Sequence, residues 1–235
     1  MANFKTHLSV ATFASTAFAG GLYQISIVDA VDIPRLIFFG VIGGLLPDVD
    51  AENSVPARRL FNSLAFLAAG LILSRQTNLI PTKQLFLYAV IAALLIRFPL
   101  FYLFNKTTKH RGVFHSLLGA LFFGFLVTCL SHWFLDWDSL QSWYNGIFIG
   151  FGFIVHLCLD EIYSVNLSGF RMKKSFGTAL KLFSYNDMLA SGLLLVAVMA
   201  LMSVTPSAES LGRVLAQTNW GEVARMGSQL LKSLH

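Results

Sequence analysis

Seven histidine and aspartate side chains stand in four short stretches of this sequence, each at the end of an apolar run. Histidine and carboxylate ligands together suit zinc, manganese or iron and do not suit calcium. Seven such ligands exceed the four of one zinc ion, so the set could hold two divalent ions as well as a single one. The predicted metal ligands are His7, Asp48, Asp50, His110, His115, His156 and Asp160.

The spacing within two of these stretches agrees with shared coordination. His156 and Asp160 are four residues apart, so they occupy the same face of a helix. Asp48 and Asp50 follow Pro47 and are two residues apart, so they would point the same way in an extended exit from a helix. Neighbouring carboxylates repel each other unless a cation or a proton lies between them. A divalent metal would remove this repulsion.

The other two stretches are predicted to lie at helix entries. His7 stands just before the first apolar run. Gly112 permits a turn, which would leave His110 in a loop and His115 in the first turn of the following helix. Each side chain also has an interpretation without metal. The histidines could be interfacial, solvated or bonded to a neighbouring helix, and the aspartates could cap a helix or pair with Arg58.

The elements that carry these residues are predicted to be membrane helices. Hydrophobic residues make up 55% of the 235-residue chain and charged residues 12%, against about 25% charged in a soluble domain. A spanning helix needs about 20 apolar residues. The sequence therefore predicts an all-α, polytopic membrane helix bundle of about six to seven helices, the first one retained and not cleaved. The candidate segments are 8–28, 35–47, 59–74, 84–104, 113–135, 146–164 and 187–205.

The distribution of basic residues predicts the orientation. If all seven segments cross, one side carries ten lysine and arginine residues and the other three before the C-terminal tail. The richer side is expected to be cytoplasmic, and all four histidine and aspartate stretches fall on it. The formal charge of +5 is therefore assigned to cytoplasmic loops, and no nucleic-acid partner is expected.

The chain divides into two predicted regions. Residues 1–205 form the transmembrane bundle with the metal site, and residues 206–235 form an amphipathic tail. Apolar residues recur at helical spacing in the tail, which predicts two short helices on the membrane or on a partner. A tail helix packed back on the bundle explains the same pattern.

The four stretches together resemble the YdjM-like family of bacterial inner-membrane metal-dependent hydrolases. Its pattern is an N-terminal histidine, then L-P-D-x-D, H-R-G-x-T-H-S and H-x-x-x-D followed by Ser or Thr. The chain has His7, "LPDVD" at 46–50, "HRGVFHS" at 110–116 and "HLCLDEIYS" at 156–164, with Phe114 in place of the usual threonine. The resemblance covers residues 7–164. More loosely, the chain is similar to zinc-dependent phospholipase C enzymes, which are helical and use His and Asp ligands.

These features predict a membrane-bound, metal-dependent hydrolase in the bacterial inner membrane. Its expected cofactor is Zn, with Mn or Fe as alternatives, and its expected partner and substrate are membrane lipids carrying a phosphoester or ester at the cytoplasmic leaflet. Arg111 is predicted to grip a phosphate oxygen, and Glu161 to act as a general base or to support a ligand. The alternatives are a cation or proton transporter, or a non-catalytic membrane protein with a structural metal.

Overall fold

The protein is all-α, as the sequence predicts. The computed structural model describes residues 3–50, 55–74, 81–102, 113–166, 171–172, 180–185, 187–221 and 225, and these contain eight α-helices. The first seven helices overlap the seven predicted segments. The eight helices are α1 (Phe4–Gln24), α2 (Ile33–Gly43), α3 (Val55–Ser74), α4 (Thr82–Leu95), α5 (Leu117–Leu135), α6 (Ser139–Ser164), α7 (Met188–Val204) and α8 (Glu209–Gln217).

Three shorter elements complete the described chain. A 3₁₀ helix (Leu46–Asp50) follows α2, and a π-helical turn (Ile96–Leu100) extends α4 at Pro99. Strand β1 (Val165–Asn166) pairs antiparallel with β2 (Arg171–Met172), just after α6.

Helix α6 is the centre of the bundle and packs against α5, α2 and α1. Its buried face repeats every four residues, because positions i and i+4 of a helix lie on the same side. The N-terminal half of this face is apolar around Phe148, and the last turns of the helix carry polar side chains on it. The buried residues of this row are Phe148, Gly152, His156, Asp160 and Ser164.

Small residues bring α2 very close to α6. A Cβ at Gly152 would overlap the Gly40 carbonyl oxygen, and a Cβ at Gly43 would overlap the Ile149 carbonyl oxygen. Membrane helices pack at such short range where glycine, alanine or serine line the contact. The close contact holds the C-terminal half of α2 against the middle of α6.

Three helices are long and apolar enough to cross a membrane, within the parts of the chain that the structure describes. They are Thr82–Pro99, Leu117–Leu135 and Ser139–Ser164. Helices α7 and α8 add a fourth if the pair, bent by 81°, counts as one broken span. Helix α2 has only 11 residues, too few to span alone.

The described part of the C-terminal tail contacts the bundle. Leu211 and Val214 of α8 pack against a core cluster that includes Ala19, Leu36 and Phe148. The indole of Trp143 donates a hydrogen bond to the Pro206 carbonyl at 3.1 Å, in the connection that precedes α8. The second predicted tail helix, which follows Asn219-Trp220-Gly221, lies outside the described residues apart from Arg225.

Candidate metal centre

Four separate parts of the chain bring five of the predicted ligands together at one end of the bundle. His7 comes from α1, Asp48 from the 3₁₀ helix and His115 from the approach to α5. His156 and Asp160 lie near the C-terminal end of α6. All but Asp48 are at most 2% exposed, and the Asp48 side chain is 20% exposed. The cluster is therefore buried, with one carboxylate at its edge.

His7 reaches the cluster from inside α1. The Asn3 side chain accepts a hydrogen bond from the Thr6 N–H at 2.9 Å and caps the helix. Helix α1 therefore begins at Phe4. The prediction that His7 precedes the helix is wrong, because the Asn3 cap starts α1 four residues before the apolar run that begins at residue 8.

His115 reaches the cluster from the last extended residues before α5. The Ser116 side chain accepts a hydrogen bond from the Gly119 N–H at 3.2 Å, so Ser116 is the cap and the helix begins at Leu117. The prediction that His115 lies in the first helical turn is wrong for this reason. The Phe114 carbonyl also lies where a Cβ at Gly119 would fall, so the chain turns sharply here.

Asp48 lies in a 3₁₀ helix and not in an extended segment, so the expected geometry of the two aspartates is also wrong. The Asp50 side chain lies outside the described part of the structure, as do His110 and Arg111, so the predictions for these three residues stay predictions.

The carboxylate of Asp160 is the hub of the cluster. Its Oδ1 is 3.4 Å from Nε2 of His7, and its Oδ2 is 3.3 Å from Nε2 of His115. Nε2 of His156, one helical turn earlier, is 3.9 Å from Oδ2. Thus three imidazoles from three separate parts of the chain face one buried carboxylate.

His156 is oriented by the backbone of α2. Its Nδ1 is 2.7 Å from the Gly44 carbonyl oxygen. A carbonyl oxygen only accepts hydrogen bonds, so Nδ1 of His156 carries the proton. In the neutral ring, Nε2 then has a free lone pair. This lone pair faces Oδ1 of Asp48, 3.5 Å away. The ring also stacks on His7, with centroids 3.7 Å apart. Metal-binding histidines typically have such a carbonyl partner on the second nitrogen.

The distances fit a metal better than direct hydrogen bonds. Nitrogen–oxygen hydrogen bonds are about 2.7–3.2 Å long, and each histidine–aspartate contact of the cluster is longer, at 3.3–3.9 Å. Ligand atoms that lie about 2.0–2.1 Å from a tetrahedral zinc are roughly 3.3 Å apart. Four imidazole nitrogens have no hydrogen-bond partner among the described residues: both nitrogens of His7, Nε2 of His115 and Nε2 of His156. The donor set can therefore hold a divalent ion, with one ligand atom each from His7, His156 and Asp160 within 4.8 Å of one another.

Glu161 is not part of this group, although it adjoins Asp160 in sequence. It is half-buried on α6, about 100° around the helix from Asp160. Its predicted role as a general base or supporting residue remains a prediction.

Two supporting contacts escaped the sequence analysis. The Gly44 carbonyl orients His156, and the Ser116 hydroxyl caps the helix beside His115. The Gly40-x-x-x-Gly44 spacing, typical of closely packed membrane helices, is a signal that could have indicated the first.

The fold and the cluster define a class of protein: an all-α bundle with helices apolar enough for a membrane and a buried histidine–carboxylate cluster at one end. The chain belongs to the YdjM inner membrane protein family, whose family model matches residues 1–215. The match confirms the resemblance predicted from the motifs and extends beyond the 7–164 that they cover. Neither the curated proteins nor the solved structures contain a match to this chain.

Proposed function

We propose that this inner membrane protein is a metal-dependent hydrolase acting on a lipid-linked phosphoester or ester at the cytoplasmic leaflet. The observation that carries the proposal is the convergence of His7, His115 and His156 on the buried Asp160 carboxylate, at 3.3–3.9 Å. Buried ionisable groups are costly in a membrane protein unless they are paired or bind an ion. Several such groups in one cluster support a functional site.

The ligand chemistry supports a zinc, manganese or iron centre of one or two ions. Imidazole nitrogens combined with carboxylate oxygens suit these metals. When bound, such an ion lowers the pKa of a water molecule and stabilises negative charge on a phosphoryl or carbonyl oxygen. His156, fixed by Gly44, and Asp160 would hold the ion, and Asp48 at the exposed edge would face the substrate side.

The location of the cluster supports a lipid substrate. His7 lies in the first turn of α1, His115 just before α5, and Asp160 in the second-last turn of α6. These positions are all at helix ends, and the ends of a membrane-spanning helix reach the headgroup region. The excess of basic residues in the loops on this side supports a cytoplasmic orientation and a multi-pass topology. Arg111 of "HRGVFHS" would contact a phosphate oxygen, and Glu161 is the candidate general base.

The same positions argue against a transporter. Transporters bind their ions near the middle of the bilayer, between broken helices, whereas this cluster lies at the ends of α1, α5 and α6. A structural metal has more support, because four of the five ligands are at most 2% exposed and structural metal sites are closed. The partly exposed Asp48 favours catalysis, since a catalytic site keeps one open position.

The first test measures bound metal in the full-length protein purified in detergent. We expect one or two divalent ions per chain by elemental mass spectrometry, and loss of metal in His156→Gln and Asp160→Asn. The matched control is His132→Gln, because His132 bonds the Trp137 carbonyl at the far end of α5. Wild-type metal content in both cluster variants, or no metal in the wild type after reconstitution with Zn, Mn and Fe, would refute the metal centre.

The second test separates the three functions in reconstituted vesicles. Phospholipids and polyprenyl phosphates are offered as substrates, and released products are detected by mass spectrometry. We expect turnover by the wild type and at least about a hundredfold less by Asp160→Asn, since loss of a metal centre removes the main electrostatic stabilisation. Metal flux without lipid turnover would instead identify a transporter, and stoichiometric metal with neither flux nor turnover would identify a structural site.

A further inference from the structure

A second feature lies at the same end of the bundle as the cluster: an apolar groove between the first turns of α5 and α7. Its volume is about 310 Å³, at the lower end for sites that hold small organic ligands. Its walls include Leu117, Leu118, Leu121, Leu182, Met188 and Leu195.

The groove borders the apolar core that carries neighbours of the ligand residues. Leu117 lines the groove and follows His115 by two residues in the chain. Leu117 also packs against the core cluster that contains Leu46 and Leu157. Leu46 precedes Asp48 by two residues, and Leu157 directly follows His156. One apolar wall therefore leads from the groove to the backbone that carries the ligands.

The outer wall of the groove is the segment 181–184, and hydrogen bonds hold this segment against α5 and α7. The backbone N–H of Leu117 donates to the Lys181 carbonyl, and that of Leu118 donates to the Leu182 carbonyl, both at 3.0 Å. These N–H groups belong to the first turn of α5 and have no partner within the helix. The hydroxyl of Ser191 donates to the Ser184 carbonyl at 2.9 Å and ties the same segment to α7. The groove is therefore formed before a ligand arrives.

The surroundings of the groove indicate a hydrocarbon occupant. Leu121, Leu182 and Met188 are 52%, 60% and 62% exposed, and α5 is apolar enough to span a membrane. Gly192 lines the groove, and a Cβ there would meet nothing within 4 Å, so the space above it is open. In a bilayer, lipid chains fill such space.

The charge of the neighbouring segment indicates the headgroup. In the sequence, the stretch 171–181 precedes Leu182 of the groove wall and contains four basic residues and no acidic one. Basic segments beside a membrane attract anionic lipids. We infer that the groove holds one hydrocarbon chain of an anionic membrane lipid, so that the headgroup lies at the histidine–carboxylate cluster. The identification of this lipid as the substrate rests on the proposed hydrolase function.

Photo-crosslinking tests the groove directly. The full-length protein is placed in nanodiscs of phosphatidylethanolamine and phosphatidylglycerol, with a small fraction of phosphatidylglycerol that carries a diazirine in one chain. We expect labelling of Leu118, Leu121 and Leu195 to exceed that of Leu193 at least about fivefold, the ratio for a modest binding preference. Leu193 is the internal control, since it is 63% exposed on α7 outside the groove. Equal labelling would overturn the inference.

A variant that fills the groove gives an independent measurement. Gly192→Phe should lower labelling of Leu121 and Leu195 to the level of Leu193. Gly70→Phe is the matched control, because Gly70 is also exposed and a Cβ there also meets nothing within 4 Å. Unchanged groove labelling in a folded Gly192→Phe protein would contradict the assignment. The wild-type labelling ratio decides the question by itself if that variant fails to assemble.

The experiments distinguish a wrong assignment of the groove as a lipid site from a wrong assignment of the protein as a hydrolase. Asp160 is outside the groove, so Asp160→Asn should keep groove labelling while losing metal. Selective labelling without hydrolysis of any lipid would support the groove and refute the hydrolase. Lipid hydrolysis with uniform labelling, and with an unchanged KM in Gly192→Phe, would refute the groove alone.

Discussion

Gly152→Ala tests whether the packing of α2 on α6 controls the candidate metal centre. The new Cβ would overlap the Gly40 carbonyl oxygen and lie 2.8 Å from the Gly44 nitrogen. Comfortable contact requires about 3.5 Å, so the backbone at Gly44 must move by at least about 0.7 Å, and the Gly40 carbonyl by more. A shift of this size would lengthen the 2.7 Å bond between Nδ1 of His156 and the Gly44 carbonyl to roughly 3.4 Å, beyond the range of a hydrogen bond.

Two effects of this shift can be measured. Overpacking of a helix contact costs about 1–3 kcal/mol in the free energy of unfolding. Loss of the carbonyl partner of a ligating histidine lowers metal affinity about 10–100-fold. We therefore expect Gly152→Ala to bind zinc 10–100-fold more weakly in a competition titration with a fluorescent chelator, and to unfold at a lower temperature in detergent.

Gly146→Ala is the matched control for overpacking. A Cβ at Gly146 would overlap the Thr128 hydroxyl and lie 2.5 Å from the Gly124 carbonyl oxygen, so it forces α5 away from α6 in a similar manner. Gly146 precedes His156 by ten residues, or about 15 Å along the helix. The control should lower stability and leave zinc affinity unchanged. Wild-type affinity in Gly152→Ala, or an equal loss in both variants, would refute the reasoning.

Two further predictions concern stability. Removal of metal by a chelator should lower the unfolding temperature of the wild type but not of Asp160→Asn; free metal at 100 times its Kd stabilises the folded state by about 2.7 kcal/mol. An identical shift in both proteins would show that the metal binds elsewhere. Arg35→Ala should lower stability by about 1–3 kcal/mol without loss of metal, because Arg35 is 2.7 Å from Asp32, bonds Asn145 and stacks 4.2 Å above Trp137. Thermal unfolding with metal analysis checks this, and an unchanged unfolding temperature would contradict it.

Much of the fold could be predicted from the sequence because it depends on local composition. Apolar runs of helical length indicate helices wherever they occur, so each of the first seven helices overlaps a predicted segment. The four-residue spacing of His156 and Asp160 also determines that they share a helix face, whatever the rest of the fold. The errors lie at helix ends, where a single cap such as Asn3 or Ser116 moves the start by several residues.

The arrangement of the candidate site depends on contacts between segments far apart in the chain. The sequence alone determined which residue types are available as ligands and that they lie at helix ends. Only the tertiary structure decided that His7 faces one oxygen of Asp160 and His115 the other, and that Gly44 orients His156. The physical reason is that these distances are set by how closely α1, α2 and α6 approach. That approach is determined by steric fit at positions such as Gly40 and Gly152, which a hydrophobic pattern does not encode.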